Sequence, residues 1–207
     1  MLLREGTVTG ARHTAPADAL AASGLGGARA FRASAHESRV RLRTLAAVRD
    51  AAVELDILGT YRIALAEREA AGRWQVEGVE WFVDHDGVLF ASMDPTAAPA
   101  LRVRDLRVAR RAAGERLDPA LVAAALRLAA LKPGELRADM RAPEVVIEAG
   151  ANGIVLRSGA RWEIRFGGPE SFDDKLVLVR EFLRIEPDRP LDYLDVRSPE
   201  RIVFFPR

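Results

Sequence analysis

The 207-residue chain contains no cysteine. That excludes disulfides, thiol nucleophiles and cysteine-ligated metals. It has almost no lysine either: Lys132 and Lys175 stand alone in a total of 31 basic residues, so arginine carries the positive charge. Charge of one sign is also lacking. The 31 basic residues face 30 acidic ones, for a net charge of +1, which is far from the basic excess of a nucleic-acid binder. No run of eighteen apolar residues occurs, so nothing within the chain reads as a transmembrane helix. Met1-Leu2-Leu3 is followed at once by Arg4-Glu5, which is not the start of a signal peptide. An apolar fraction of 49% is still enough for a packed core, and the length fits one large or two small domains.

Catalytic signatures are equally sparse. His13, His36 and His85 are scattered rather than spaced as metal ligands, and each reads as a surface or turn residue. Asp84-His85-Asp86-Gly87 reads as a hairpin turn in which the carboxylates bond local N–H groups. Asp173-Asp174 suits a helix N-terminus. Gly24-Leu25-Gly26-Gly27 follows a helix instead of a strand, which is the wrong context for a phosphate loop. No Gly-x-Ser-x-Gly elbow is present. No catalytic residue, cofactor site or metal site is therefore assigned, and an enzyme is not expected. Trp74, Trp81 and Trp162 are expected to pack in cores or at the domain junction rather than form a binding platform. Arg41 and Arg43 read as a solvated helix face.

Along the chain, Leu2–Thr9 reads as a strand. Thr14 is a candidate cap for a helix with Pro16 in its first turn and Gly24 at its end. Ser34 caps a second helix over His36–Leu45, with Val40 and Leu45 as apolar anchors and Leu42 beside them. Val48–Leu58 and Thr60–Glu67 follow as strands, so the first 70 residues read β-α-α-β-β. From residue 71 the pattern becomes strand-dominated. Strands are expected over Trp74–Val76, Val79–Val83, Val88–Ala91, Glu144–Glu148, Gly153–Arg157 and Arg161–Phe166. One helix starts at Asp118-Pro119. Another starts at the capping-box-like Ser171 and carries Leu176, Val179 and Leu183 on one face. The class is α+β, with a domain over 1–70 and a second, mixed or antiparallel sheet domain with two flanking helices over 71–207.

The last fifteen residues form the other informative stretch. Tyr193–Arg197 alternates as a half-buried strand does, Ser198-Pro199-Glu200 is turn chemistry, and Arg201–Phe205 is rich in β-branched and aromatic residues. Pro206 cannot donate to a ladder and holds this strand at an edge or ends it. Such a strand either closes the sheet or offers its edge to a partner. The pattern by itself leaves both open.

Three ordered landmarks add to this. They are Val53-Glu54-Leu55 through Ala66-Glu67-Arg68 to Trp74 and Phe82–Phe90; then Gly153–Gly159 with Phe166-Gly167 and Lys175-Leu176; then Tyr193–Pro199. Together they resemble the bacterial cell-division family FtsQ, called DivIB in Gram-positive lineages. Ala70 and Gly72 depart from that family's usual proline and alanine. The resemblance implies a POTRA-like domain over 1–70, a β domain over 71–207 and a non-enzymatic scaffold of the division complex. It implies binding to FtsB/DivIC-like and FtsL-like proteins and to other division membrane proteins, with no nucleic acid. The docking positions it implies are Tyr193, Arg197, Arg201, Ile202, Val203, Phe204 and Phe205, acting by strand addition. It also implies a single-pass anchor in the cytoplasmic membrane, upstream of this chain, with these residues on the extracytoplasmic side at the septum. The competing expectations are a POTRA-containing outer-membrane assembly component, which would need a long barrel of alternating strands, and a peptidoglycan-modifying enzyme, which would need a catalytic site.

Overall fold

A computed structural model describes residues 2–56 and 58–207. The chain is α+β and divides into two compact units. The first comprises 2–70 with 88–98 and 112–116; the second comprises 71–87, 99–111 and 117–207.

In the first unit, β1 (Glu5–Thr9), β2 (Val48–Leu55) and β3 (Thr60–Glu67) form a sheet in the order β1-β3-β2. β1 runs parallel to β3 and β2 antiparallel to it. Tyr61, Ile63 and Leu65 alternate inward along β3, as a one-face-buried strand requires. They pack with Leu3, Leu25, Leu42 and Val48 beneath α1 (Pro16–Ser23) and α2 (Ala35–Leu42). Gly24 ends α1 in the left-handed region at φ 67°, and the Ser34 hydroxyl accepts from Glu37 N–H at 3.2 Å to cap α2.

Several expectations shift here. Thr14 does not cap α1; Ala15 holds that position without a side-chain bond. The Thr14 N–H is instead taken, with those of Arg12 and His13, by the Glu67 carboxylate at 2.7–2.8 Å. Val40 is exposed rather than an anchor, because α2 turns Leu42 inward. The largest change is His13, which is buried and not a surface residue. Its Nδ1 lies 2.8 Å from Ser92 Oγ, and its ring meets Phe90 of β6 (Leu89–Phe90) edge-on.

Burial lowers the His13 pKa below its ordinary 6.5; Arg12 adds to this, while Glu67 and Asp94 oppose it. A lowered histidine pKa favours the neutral ring in the folded state. Its contribution is complete above about pH 6.5 and is lost as pH falls below that value toward the folded pKa. The melting temperature is therefore expected to drop between pH 7 and pH 5, and His13→Asn to flatten that slope. An unchanged slope in a pH series of melts would refute this.

Eight strands of the larger sheet belong to the second unit, in the order β12-β11-β10-β9-β8-β7-β4-β5. They are β4 (Gly72–Val76), β5 (Val79–Val83), β7 (Arg102–Asp105), β8 (Glu144–Ile147), β9 (Ile154–Arg157), β10 (Glu163–Gly167), β11 (Tyr193–Asp195) and β12 (Val203–Phe205). Pairing is mixed. β4–β7, β7–β8 and β10–β11 are parallel, while β4–β5, β8–β9, β9–β10 and β11–β12 are antiparallel.

The register aligns one apolar row across this sheet: Trp74, Val103, Val145, Leu156, Ile164, Leu194 and Phe204 are successive cross-strand partners. On that face lie α3 (Pro119–Ala129), capped by Asp118 accepting from Ala120 N–H at 2.9 Å, and α4 (Phe172–Ile185). Phe172 of α4 meets Phe166, Phe182 meets Phe204, and Leu176, Val179 and Leu183 are buried as expected. Leu156 is fully buried at the centre of the row. Leu156→Ala is expected to cost about 2–5 kcal/mol, measured by urea unfolding. A loss under about 1 kcal/mol would contradict its central place.

The neighbouring row faces the other way, because a one-residue step flips the side chains. It reads Glu144, Arg157, Glu163, Tyr193, Phe205. Arg104 pairs with Glu144 at 2.6 Å and Arg165 with Glu163 at 2.8 Å, while Arg157 lies 4.0 Å from both glutamates. The solvent face is thus a ladder of alternating charge that ends in aromatics at the sheet edge.

Three further differences have local causes. β7 is unanticipated, because Arg-Val-Arg-Asp has a single apolar residue and reads as a charge run. Ser171 does not form a capping box; it sits at φ 49° without a side-chain cap bond. The Asp84–Gly87 turn forms as expected, with Gly87 N–H on Asp84 O at 3.1 Å. Gly87 at φ 81° is required there, since a Cβ would stand 2.4 Å from Leu117 O.

Candidate partner-binding edge

β12 is the last strand of the second unit's sheet, and its far side pairs with no other described strand. The direction of its backbone groups follows from the β10–β11 ladder. Glu163 N–H donates to Asp192 O and Val196 N–H donates to Arg165 O, so Leu194 between them turns its backbone to β10, while the Asp192 N–H, just before β11, reaches Phe205 O at 2.9 Å. Tyr193 and Asp195 therefore face β12, and their partners Phe205 and Val203 face back to them. Phe204 is left with its N–H and C=O pointing away from the sheet.

The side chains around this edge are well held. Phe204 packs on Phe182 with ring centroids 5.5 Å apart, and the Arg189 guanidinium lies 4.0 Å over its ring. On the opposite face Phe205 stacks on Tyr193 at 4.6 Å, and Arg165 covers Tyr193 at 3.8 Å. Four aromatic side chains, in two pairs, thus fix the register of a short strand whose outward groups are open.

The seven positions singled out above differ in placement. Tyr193 lies on β11, and Val203, Phe204 and Phe205 form β12. Arg197 lies beyond β11, because Asp195 accepts from the Arg197 N–H at 3.1 Å and turns the chain. The same carboxylate binds the Arg197 guanidinium at 2.6–3.0 Å, which offsets its burial and lowers its pKa. Arg201 and Ile202 precede β12; Arg201 N–H closes a turn on Ser198 O at 3.4 Å. The strands are therefore three residues each, not five. A cleft of about 400 Å³ beside them is lined by Gly167, Lys175, Asp195, Arg197, Arg201 and Val203. Lys175 is buried there and donates to Gly168 O at 3.0 Å; burial lowers its pKa.

Arg165, Arg189 and Phe182 were not found by sequence reasoning. Arg165 reaches Tyr193 through a parallel pairing of residues 30 positions apart, Glu163 with Tyr193, and nothing local signals that register.

Elsewhere the chemistry remains structural. A cleft of about 630 Å³ runs beside β2 in the first unit, where Arg39 and Arg43 both hold Asp50 at 2.7–2.9 Å. These hydrogen bonds and that of Ala51 N–H lower the Asp50 pKa. Among the described residues no group of three His, Asp or Glu side chains is placed to hold a metal ion, and no helix is long and apolar enough to cross a membrane.

This architecture defines a two-unit α+β protein that presents a strand edge, consistent with a POTRA-like domain followed by a β domain. No family model matches the chain. It is 28% identical over 191 residues to the cell division protein FtsQ of Chloroflexus aurantiacus, an alignment that covers 92% of this chain and 68% of that protein. The likeness supports an FtsQ/DivIB-like family member with a role in cell division.

Proposed function

We propose that this chain is a non-enzymatic scaffold of the bacterial division complex that docks a partner strand on β12. The supporting observation is the outward-facing backbone of Phe204 on a terminal strand whose register is fixed by the Phe204–Phe182 and Phe205–Tyr193 contacts. The partners we infer are FtsB/DivIC-like and FtsL-like proteins, with other membrane proteins of the division complex. The domain over 1–70 serves recruitment and that over 71–207 serves docking, and the protein links early and late division proteins at the septum. The anchor we infer is a single-pass helix in the cytoplasmic membrane, with these units on its extracytoplasmic side.

Tyr193 and Arg165 contribute by stiffening the edge, which lowers the entropy lost when a second chain adds to it. Arg197 and Arg201 flank the cleft at the end of β12 and are placed to meet acidic or carbonyl groups of the docked chain. The test is binding of the FtsB/DivIC-like extracytoplasmic segment from the same genome to this chain and to a version ending at Arg197. Binding lost on truncation is expected. Binding that survives truncation would move the interface away from β12, and no binding in either form would remove the scaffold reading.

A further inference from the structure

We propose that the end of the first unit carrying Leu2, Phe31 and Leu58 is a phospholipid-binding surface that rests in the interfacial layer of a bilayer. Three chain segments meet at this end. Leu2 bridges to Arg29, Leu3 N–H donates to Ala28 O at 2.9 Å, and Arg4 N–H donates to Gly59 O at 2.9 Å. These bonds set the segments around residues 29–32, 2–4 and 58–59 side by side, about one strand spacing apart. Each presents a large apolar side chain to solvent: Phe31 is 73% exposed, Leu58 77% and Leu2 43%. Exposure on that scale in three adjoining segments is unlike the scattered single apolar residues of an ordinary surface.

The charge around them decides the occupant. Arg4, Arg29 and Arg32 are exposed, and none has a carboxylate partner among the described residues. The Arg32 guanidinium lies 5.7 Å over the Phe31 ring, so cation and apolar body point out together. The acidic residues at this end are Glu5, exposed on β1, and Asp56, whose Oδ1 accepts the Leu58 N–H at 3.0 Å and shapes that turn. The surface therefore offers apolar tips for acyl carbon flanked by guanidiniums for the phosphates. That order matches the edge of a bilayer, where a phosphate layer lies directly above hydrocarbon. It matches a purely apolar partner less well, since such a partner would bury the three guanidiniums without counter-charge.

The test uses the whole chain and sedimentation with vesicles of phosphatidylcholine mixed with phosphatidylglycerol. Binding is expected at low salt, weaker on pure phosphatidylcholine. Phe31→Ser with Leu58→Ser is expected to lower partitioning by about tenfold or more. Arg4→Gln, Arg29→Gln and Arg32→Gln together are expected to remove the preference for phosphatidylglycerol and most of the salt dependence. All these side chains are exposed, so circular dichroism melts should coincide with the parent, and variants of β12 should leave vesicle binding unchanged. No partitioning of the parent chain, or equal partitioning of the Phe31/Leu58 variant, would overturn the proposal. Capture by immobilised polyglutamate without vesicle binding would also overturn it and assign the arginines to an acidic protein.

Discussion

Phe204→Pro is expected to weaken partner binding about 10- to 100-fold more than Phe204→Ala, which also gives up the ring contact with Phe182 but keeps the N–H. The Phe204 N–H points out of the sheet, so its removal breaks no native ladder bond, and an edge strand tolerates proline when the lost N–H faces solvent. A docked strand would lose that donor and face an unmatched carbonyl, at a cost of about 1–3 kcal/mol. Val203→Pro supplies the contrast. Val203 turns its N–H back toward Asp195, so proline there should loosen β12 itself and lower stability. Titration calorimetry with the partner segment, alongside urea melts, separates the two. Relative to Phe204→Ala and Val203→Ala, equal added destabilisation by the two prolines would contradict the assigned backbone direction, and undiminished binding by Phe204→Pro would remove the edge from the interface.

Asp105→Ala is expected to be strongly destabilising in the second unit. The Asp105 carboxylate is buried at the end of β7. It accepts Trp74 Nε1–H at 3.0 Å, the Arg107 N–H at 3.1 Å, its guanidinium at 2.9 Å and Arg111 Nη2–H at 3.1 Å. Burial alone would raise its pKa; the bonds from Arg107 and Trp74 outweigh that and hold it at about 2, below the ordinary 3.8. Removing the carboxylate takes the buried partner from the Trp74 indole N–H and the Arg107 guanidinium in a largely buried site, a loss of about 3–5 kcal/mol. For the pH dependence, the folded pKa is depressed, so the stabilisation is complete above about pH 4. It is lost as pH falls through the folded value near 2 and amounts to about 2 kcal/mol. Asp105→Asn, which keeps the shape, should therefore flatten the acid limb of the stability curve. A parent-like acid limb in that variant would show that Asp105 is not the group responsible.

Much of the fold was written locally. Pro16, Gly24, Ser34, Asp118 and Gly87 mark helix ends and a turn by their own backbone or side-chain chemistry, and the structure uses them so. Thr60–Glu67 alternates cleanly because one face of β3 is buried. What was illegible depends on partners distant in sequence. β7 is a strand because β4 and β8 pair on its two sides, although its own residues read as a charge run. His13 is buried because the backbone of residues 12–14 is tied to Glu67 and its ring to Ser92, 79 positions away. At the docking edge, the residue types of Tyr193 and of Val203–Phe205 were readable. The Arg165 cover, the Phe182 and Arg189 support, and the direction of each N–H were not, since they follow from the cross-strand register.

Docking as proposed adds a second chain to β12 through the outward backbone of Phe204. Hydrogen exchange of that single amide, followed by NMR with and without the FtsB/DivIC-like segment, tests it most directly. Rapid exchange is expected in the free chain and strong protection in the complex, while the inward amides of Val203 and Phe205 change far less. Saturating partner with no added protection at Phe204 would place the interface elsewhere.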